Sequence, residues 1–227
     1  MSEKMYDYQW CAAKRSTMAK EEESEESDTK KKSPFLAEPD SASRVTSKGR
    51  HIYYFAGVSK KSVYELNDYI IKLNTNFEDM QRKNPNIVMT PKPIYIHINS
   101  YGGGVFAAFA AVDFIKQSKI PIYTIIEGAS ASAATIMSVV GVKRYISPHA
   151  SMLIHQLSSW FGGKMTEIED EYQNLEQMMG SIKNIYSDHT KMTKGQLTKF
   201  LKHDVWWDAK KCIEMGLADE IWTGEEE

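Results

Sequence analysis

Cysteine is almost missing from this chain of 227 residues: only Cys11 and Cys212 occur, one in a polar leader and one in a helical pattern. Two such thiols exclude a disulfide framework as the source of stability and suit a reducing, intracellular compartment, so a cytoplasmic location is expected. Long hydrophobic runs are lacking too. The best, 120–126 and 129–140, are too short or too rich in Ala and Ser to cross about 30 Å of hydrocarbon as a helix. No membrane partner is expected. Charge of one sign is also absent, since 28 Lys and Arg against 30 Asp and Glu leave a net charge of −2. Nothing in that balance recommends nucleic acid or an anionic surface as the main partner. A secretory signal needs an apolar run of about 7 to 15 residues, which the first residues do not offer, and acidic clusters argue against an organelle transit peptide.

What is there begins with an ordinary globular balance, 42% hydrophobic and 26% charged, in a chain long enough for one large domain with a tail. The chain changes character near residue 46. Before it stand Glu21, Glu22, Glu23, Glu25, Glu26 and Asp28, then Lys30, Lys31 and Lys32, with almost nothing aliphatic to bury. Residues 1–46 therefore read as a disordered tail or removable pro-segment, in which Met5, Tyr6, Tyr8 and Trp10 form at most a short adhesive motif. Residues 47–227 read as the folded domain.

From His51 onward, short β-branched or aromatic runs alternate with helical periods. Residues 51–55 read as a strand, and Ser59 caps a helix carrying the stripe Val63, Leu66, Ile70 and Leu73. A strand at 94–98, a glycine turn at 99–104 and an apolar helix at 105–115 make a second unit. A third follows: a strand at 122–126, a tight turn at Gly128 and Ala129, and a helix of very small residues at 130–140. Short strands are expected at 143–146 and 151–155, one long polar helix at 166–189, and a last helix capped by Asp208 that ends at Gly216. This alternation implies an α/β core with parallel pairing, and places ligand chemistry where strands end and helices begin.

Two of those turns carry chemistry. In Asn99-Ser100-Tyr101-Gly102-Gly103-Gly104-Val105, consecutive glycines free backbone N–H groups to approach an oxyanion or phosphate at a helix N-terminus. Neither the dinucleotide fingerprint nor a Walker A lysine is present, and a plain tight turn is the competing reading. In Glu127-Gly128-Ala129-Ser130-Ala131-Ser132-Ala133-Ala134, a serine hydroxyl and the adjacent N–H can face the same space, as a nucleophile with half an oxyanion hole requires. Helix capping by serine competes with that reading, and the G-x-S-x-G elbow is not met. Of six histidines, His155 sits at the end of the apolar run Met152-Leu153-Ile154, where it can lean across a strand-end cleft. A satisfied structural histidine is the alternative.

Five blocks in order, at 49–55, 96–105, 128–134, 152–156 and 214–221, resemble the proteolytic subunit of Clp protease, the ClpP family. The resemblance spans roughly 49–222. It implies a crotonase-like α/β fold of repeated β-α units with a protruding long handle helix, and an ATP-dependent serine endopeptidase that hydrolyses unfolded proteins inside a chamber of two stacked heptameric rings. By position, Ser132 resembles the nucleophile, His155 the general base and Asp204 the residue that orients it, with Asp208 as rival. Gly103 and Ala133 would supply the oxyanion N–H groups, and Gly102, Gly104, Val105, Leu157 and Ser158 would line the substrate strand. The resemblance implies no metal and no cofactor.

Some positions depart from the family pattern. Tyr101 and Leu157 stand where proline is usual and Gly104 where serine is usual; Ser159 and Trp160 replace glycines, so a bulkier cleft wall is expected. His97 and Glu127 occupy positions that resemble the apolar cleft where an AAA+ unfoldase docks, and a buried unpaired carboxylate there would weaken such docking. The handle reading falls on 166–189, whose stripe is Ile168, Tyr172, Leu175, Met178, Met179, Ile182 and Tyr186. A non-proteolytic ring subunit that co-assembles with a paralogue, and a crotonase-type acyl-CoA enzyme, are the alternative functions.

Overall fold

A computed structural model describes residues 44–224. The expected tail therefore lies, up to residue 43, outside the described residues, and so do Cys11 and the aromatic motif near the start. Its boundary moves, because Arg44, Val45 and Thr46 belong to the first strand, β1 (Arg44–Lys48), in which Val45 is buried. β1 runs antiparallel to β2 (His51–Phe55).

Helix α1 (Lys60–Lys83) starts at Ser59, whose hydroxyl accepts the Ser62 N–H while the Ser62 hydroxyl accepts the Ser59 N–H. That reciprocal cap satisfies two donors the first turn would otherwise leave open. β3 (Ile94–Ser100), α2 (Val105–Gln117), β4 (Ile122–Ala131), α3 (Ala133–Ser138) and β5 (Lys143–Ile146) complete the β-α units. β2, β3, β4 and β5 pair in parallel, in that order. Alternation sorts the sheet's two faces: Ile52, Ile94, Ile96, Ile98 and Ile122 join α1, α2 and α3 in the main core, while Tyr95, Ile125 and Tyr145 form a smaller cluster with Tyr123 and Trp222 on the other face.

The helix expected at 130–140 is shorter. Gly128 adopts φ +72°, and the β3 register shifts between Ile98 and Ser100, so β4 bulges and continues to Ala131 instead of turning. Beyond the bulge β4 leaves β5 and pairs in parallel with β6 (Ser151–Leu153). One strand thereby serves both the central sheet and a small side sheet.

The remaining elements are α4 (Met165–His189), α5 (Lys194–Phe200), β7 (Trp206–Asp208), α6 (Ala209–Met215) and β8 (Glu220–Ile221). β7 pairs antiparallel with β6, and β8 closes the far edge against β5. The 25 residues of α4 give a rod of about 37 Å at 1.5 Å per residue. Its C-terminal half buries Met178, Ile182 and Tyr186 in the main core, whereas Met165, Ile168 and Tyr172 in its N-terminal half are exposed.

Candidate active site

The bulged end of β4 delivers the chain to Ser132, the one non-glycine residue with positive φ among the described residues, at φ 60° and ψ −130°. Such a conformation costs on the order of 1–3 kcal/mol and persists only where its surroundings fix it. Here the Ser132 N–H donates to the Leu153 carbonyl at 2.8 Å, and the Ser132 carbonyl accepts from the Thr135 N–H at 3.0 Å and the Thr135 hydroxyl at 2.6 Å. Ser132 occupies the N-cap position of α3, yet its hydroxyl makes no capping bond. The capping reading therefore fails at this serine. Ser130, also buried, lies within β4 and not at the helix start, and its hydroxyl has no hydrogen-bond partner.

Pairing of Ala131 with Leu153 brings the segment after β6, and with it His155, beside the end of β4. His155 Nδ1 lies 3.0 Å from Asp204 Oδ1, with the imidazole 13% and the carboxyl 76% exposed. A carboxylate only accepts, so Nδ1 carries the proton and Nε2 presents a lone pair. The Gln156 N–H donates to the Leu201 carbonyl at 2.6 Å, which ties the segment after His155 to the loop that carries Asp204. Asp208 does something else: its Oδ1 accepts the Lys211 N–H at 2.8 Å and caps α6.

The glycine turn is clamped by Val58. Its N–H donates to the Gly102 carbonyl and its carbonyl accepts from the Gly104 N–H, both at 2.8 Å. This parallel bridge turns the Gly103 peptide N–H away from Val58. A Cβ on Gly102 would lie 2.6 Å from Ser132 Cβ and 3.0 Å from the Ala133 nitrogen, so the turn abuts Ser132 and the start of α3. Gly103 and Ala133 are thus brought together near Ser132. The expected substrate-strand residues have these surroundings. The Gly102 N–H donates to Ser100 Oγ at 3.2 Å, and the Val105 side chain is buried in the core. Gly104 has its N–H engaged by Val58, Leu157 donates its N–H to Met179 Sδ at 3.2 Å, and Ser158 is exposed.

Two departures from the family pattern, Trp160 and Tyr101, have different surroundings. Trp160 is 92% exposed, so its indole stands in solvent. Tyr101 packs edge-on against Trp206 with ring centroids 6.2 Å apart, bridging the glycine turn and β7. That contact carries no sequence signal, since the two residues are far apart in the chain.

On the sheet face away from the helices, Glu127 is not unpaired. Its Oε1 accepts from His97 Nδ1 at 2.7 Å, which leaves His97 Nε2 to accept from His51 Nδ1 at 2.8 Å. The expected penalty for a lone buried carboxylate does not arise, and His97 stacks on Tyr53 as His51 does on Tyr95. A cavity of about 660 Å³ lies at the opposite ends of β4 and β5, between Lys116, Arg144, His189 and Asp219, and shares no residue with Ser132, His155 or Asp204. Among the described residues no group of three or more His, Cys, Asp or Glu side chains is placed to hold a metal, and no helix is long and apolar enough to cross a membrane.

Comparison with known proteins places these features in a group. The family model described as Clp protease matches residues 84–225. ATP-dependent Clp protease proteolytic subunit 2 of Treponema denticola is 39% identical over 132 residues, which cover 57% of this chain and 66% of that protein. The proteolytic subunit of Streptococcus mutans is 37% identical over 140 residues, 60% of this chain and 71% of that one. Proteolytic subunit 1 of Chlamydia trachomatis is 31% identical over 134 residues, 57% and 70% respectively.

Proposed function

The chain belongs to the Clp protease family, as a serine-type peptidase with that family's crotonase-like α/β fold, and from this premise we propose that Ser132, His155 and Asp204 carry out its peptide hydrolysis. The observation that carries the assignment is the 3.0 Å bond from His155 Nδ1 to Asp204, which leaves Nε2 as a base beside the end of β4 where Ser132 sits. Ser132 Oγ attacks the scissile carbonyl as His155 Nε2 takes its proton. The oxyanion lies between the N–H groups of Gly103 and Ala133. Collapse expels the amine, which receives the proton from His155, and water repeats the sequence to release the acyl group.

Family membership implies a subunit of a Clp protease assembly. In its finer form the proposal is two stacked heptameric rings that enclose the sites, with unfolded chains as substrates, joined through the exposed half of α4. The aromatic face bearing Tyr53, Tyr123 and Trp222 is where an AAA+ unfoldase would dock, and pairing of Glu127 with His97 makes that face less hostile to an apolar loop than a lone carboxylate would. Incubation with a fluorophosphonate probe followed by peptide mapping tests the chemistry. A single adduct on Ser132 that is lost in Ser132→Ala supports the proposal; labelling of Ser130 overturns it.

A further inference from the structure

We propose that Thr135 and Tyr186 are positioning residues for the nucleophile, forming a two-hydroxyl relay from α4 to the carbonyl of Ser132. The proposal rests on the reading of Ser132 as nucleophile. Thr135 Oγ1 lies 2.6 Å from the Ser132 carbonyl oxygen and 2.5 Å from the Tyr186 hydroxyl. A carbonyl cannot donate, so the single threonine proton is committed to Ser132. Tyr186 must then donate to Thr135, and the direction of the chain is fixed: Tyr186 O–H to Thr135 Oγ1, Thr135 O–H to Ser132 O. Burial holds the Tyr186 phenol protonated by pushing its pKa upward, so this donor persists throughout the working pH range.

The relay matters because of where it ends. On the N-terminal side, the Ser132 N–H is held by Leu153 in the β-sheet. On the C-terminal side, Thr135 holds the carbonyl twice, by its N–H in a tight turn of three residues and by its hydroxyl. The peptide plane after Ser132 sets ψ at −130°, an angle that nothing intrinsic to serine favours, and the same plane carries the Ala133 N–H. The relay therefore orients both the hydroxyl and one oxyanion donor. Tyr186 is anchored for this task by full burial beside Ile182 in the main core.

Turnover of a fluorogenic peptide and the rate of fluorophosphonate labelling, measured on the full chain, test the relay in Thr135→Val, Tyr186→Phe, the double variant and Thr135→Ser. Thr135→Val and Tyr186→Phe should each slow kcat and labelling roughly five- to tenfold with KM unchanged, as loss of an orienting hydrogen bond predicts. The double variant should be no slower than Thr135→Val, because both act through one proton path. Thr135→Ser, which keeps the hydroxyl, should return to within about twofold of the parent rate. Undiminished labelling in Tyr186→Phe and Thr135→Val, or a Thr135→Ser variant as slow as Thr135→Val, overturns the relay alone. An adduct that survives Ser132→Ala overturns the nucleophile assignment, and the relay with it.

Discussion

Gly103 and Gly104 are neighbours of one chemical kind in opposite structural situations. A Cβ on Gly103 would lie 2.2 Å from the Val58 carbonyl oxygen at φ +149°, whereas on Gly104 the nearest atom would be 3.7 Å away. Gly103→Ala should displace the N–H proposed for the oxyanion and lower kcat by about 10²-fold or more, measured by peptide turnover at matched folding by circular dichroism. Gly104→Ser should be tolerated. It adds the side-chain cap that α2 lacks, so its melting point should equal or slightly exceed that of the parent. The two aspartates separate in the same way. Asp204→Asn should cost orders of magnitude in kcat by favouring the wrong imidazole tautomer, while Asp208→Ala should cost about 1 kcal/mol in a denaturation midpoint and leave turnover near normal. Loss of turnover in Asp208→Asn with Asp204→Asn still active would reverse the assignment.

Along α4, the apolar stripe divides into two working lengths. Met178 is 6% exposed and belongs to the subunit's own core, but Ile168 and Tyr172 are 44% and 62% exposed. Ile168→Asp or Tyr172→Asp should therefore reduce the mass of the particle in analytical ultracentrifugation without moving the melting point. Met178→Asp should unfold the subunit, because it buries an unpartnered charge. The sequence shows the stripe but not this division, because spacing of three and four names a face and not its partner. Other features are legible for clear reasons: capping by Ser59 and Asp208, the αL glycine at 216 and the β-branched runs of β3 and β4 are local signals. β1 is missed because only Val45 among its residues is buried, and β7 because three residues are too few to show a period. The contact between His155 and Asp204 is reached only through the family resemblance, and the link of Thr135 to Tyr186 spans 51 positions with no pattern joining them.

For the molecule as a whole, the buried acids predict a falling stability at high pH. Burial pushes the Cys212 thiol from an ordinary 9.0 up to about 12. The unfolded chain releases this proton from about pH 9 and the folded chain does not, so the contribution is complete below pH 9 and is lost progressively towards pH 12. Tyr54 and Tyr186, both raised by burial, act in the same direction above pH 10. Urea midpoints should decline from pH 9 upward, and Cys212→Ala should flatten the first part of that decline.

The two halves of the proposed triad are mounted on parts of very different stiffness. Ser132 hangs from β4, which cannot be loosened without tearing the central sheet, whereas Asp204 stands in a loop whose residues 202–205 are all exposed. Amides around Ser132 should exchange with solvent only when the whole subunit opens, and those around Asp204 far sooner. Gentle warming should accordingly silence the enzyme while its circular dichroism is still that of the folded chain, and cooling should restore it. Heat would act on this subunit first as a reversible safety catch, and only later as a denaturant.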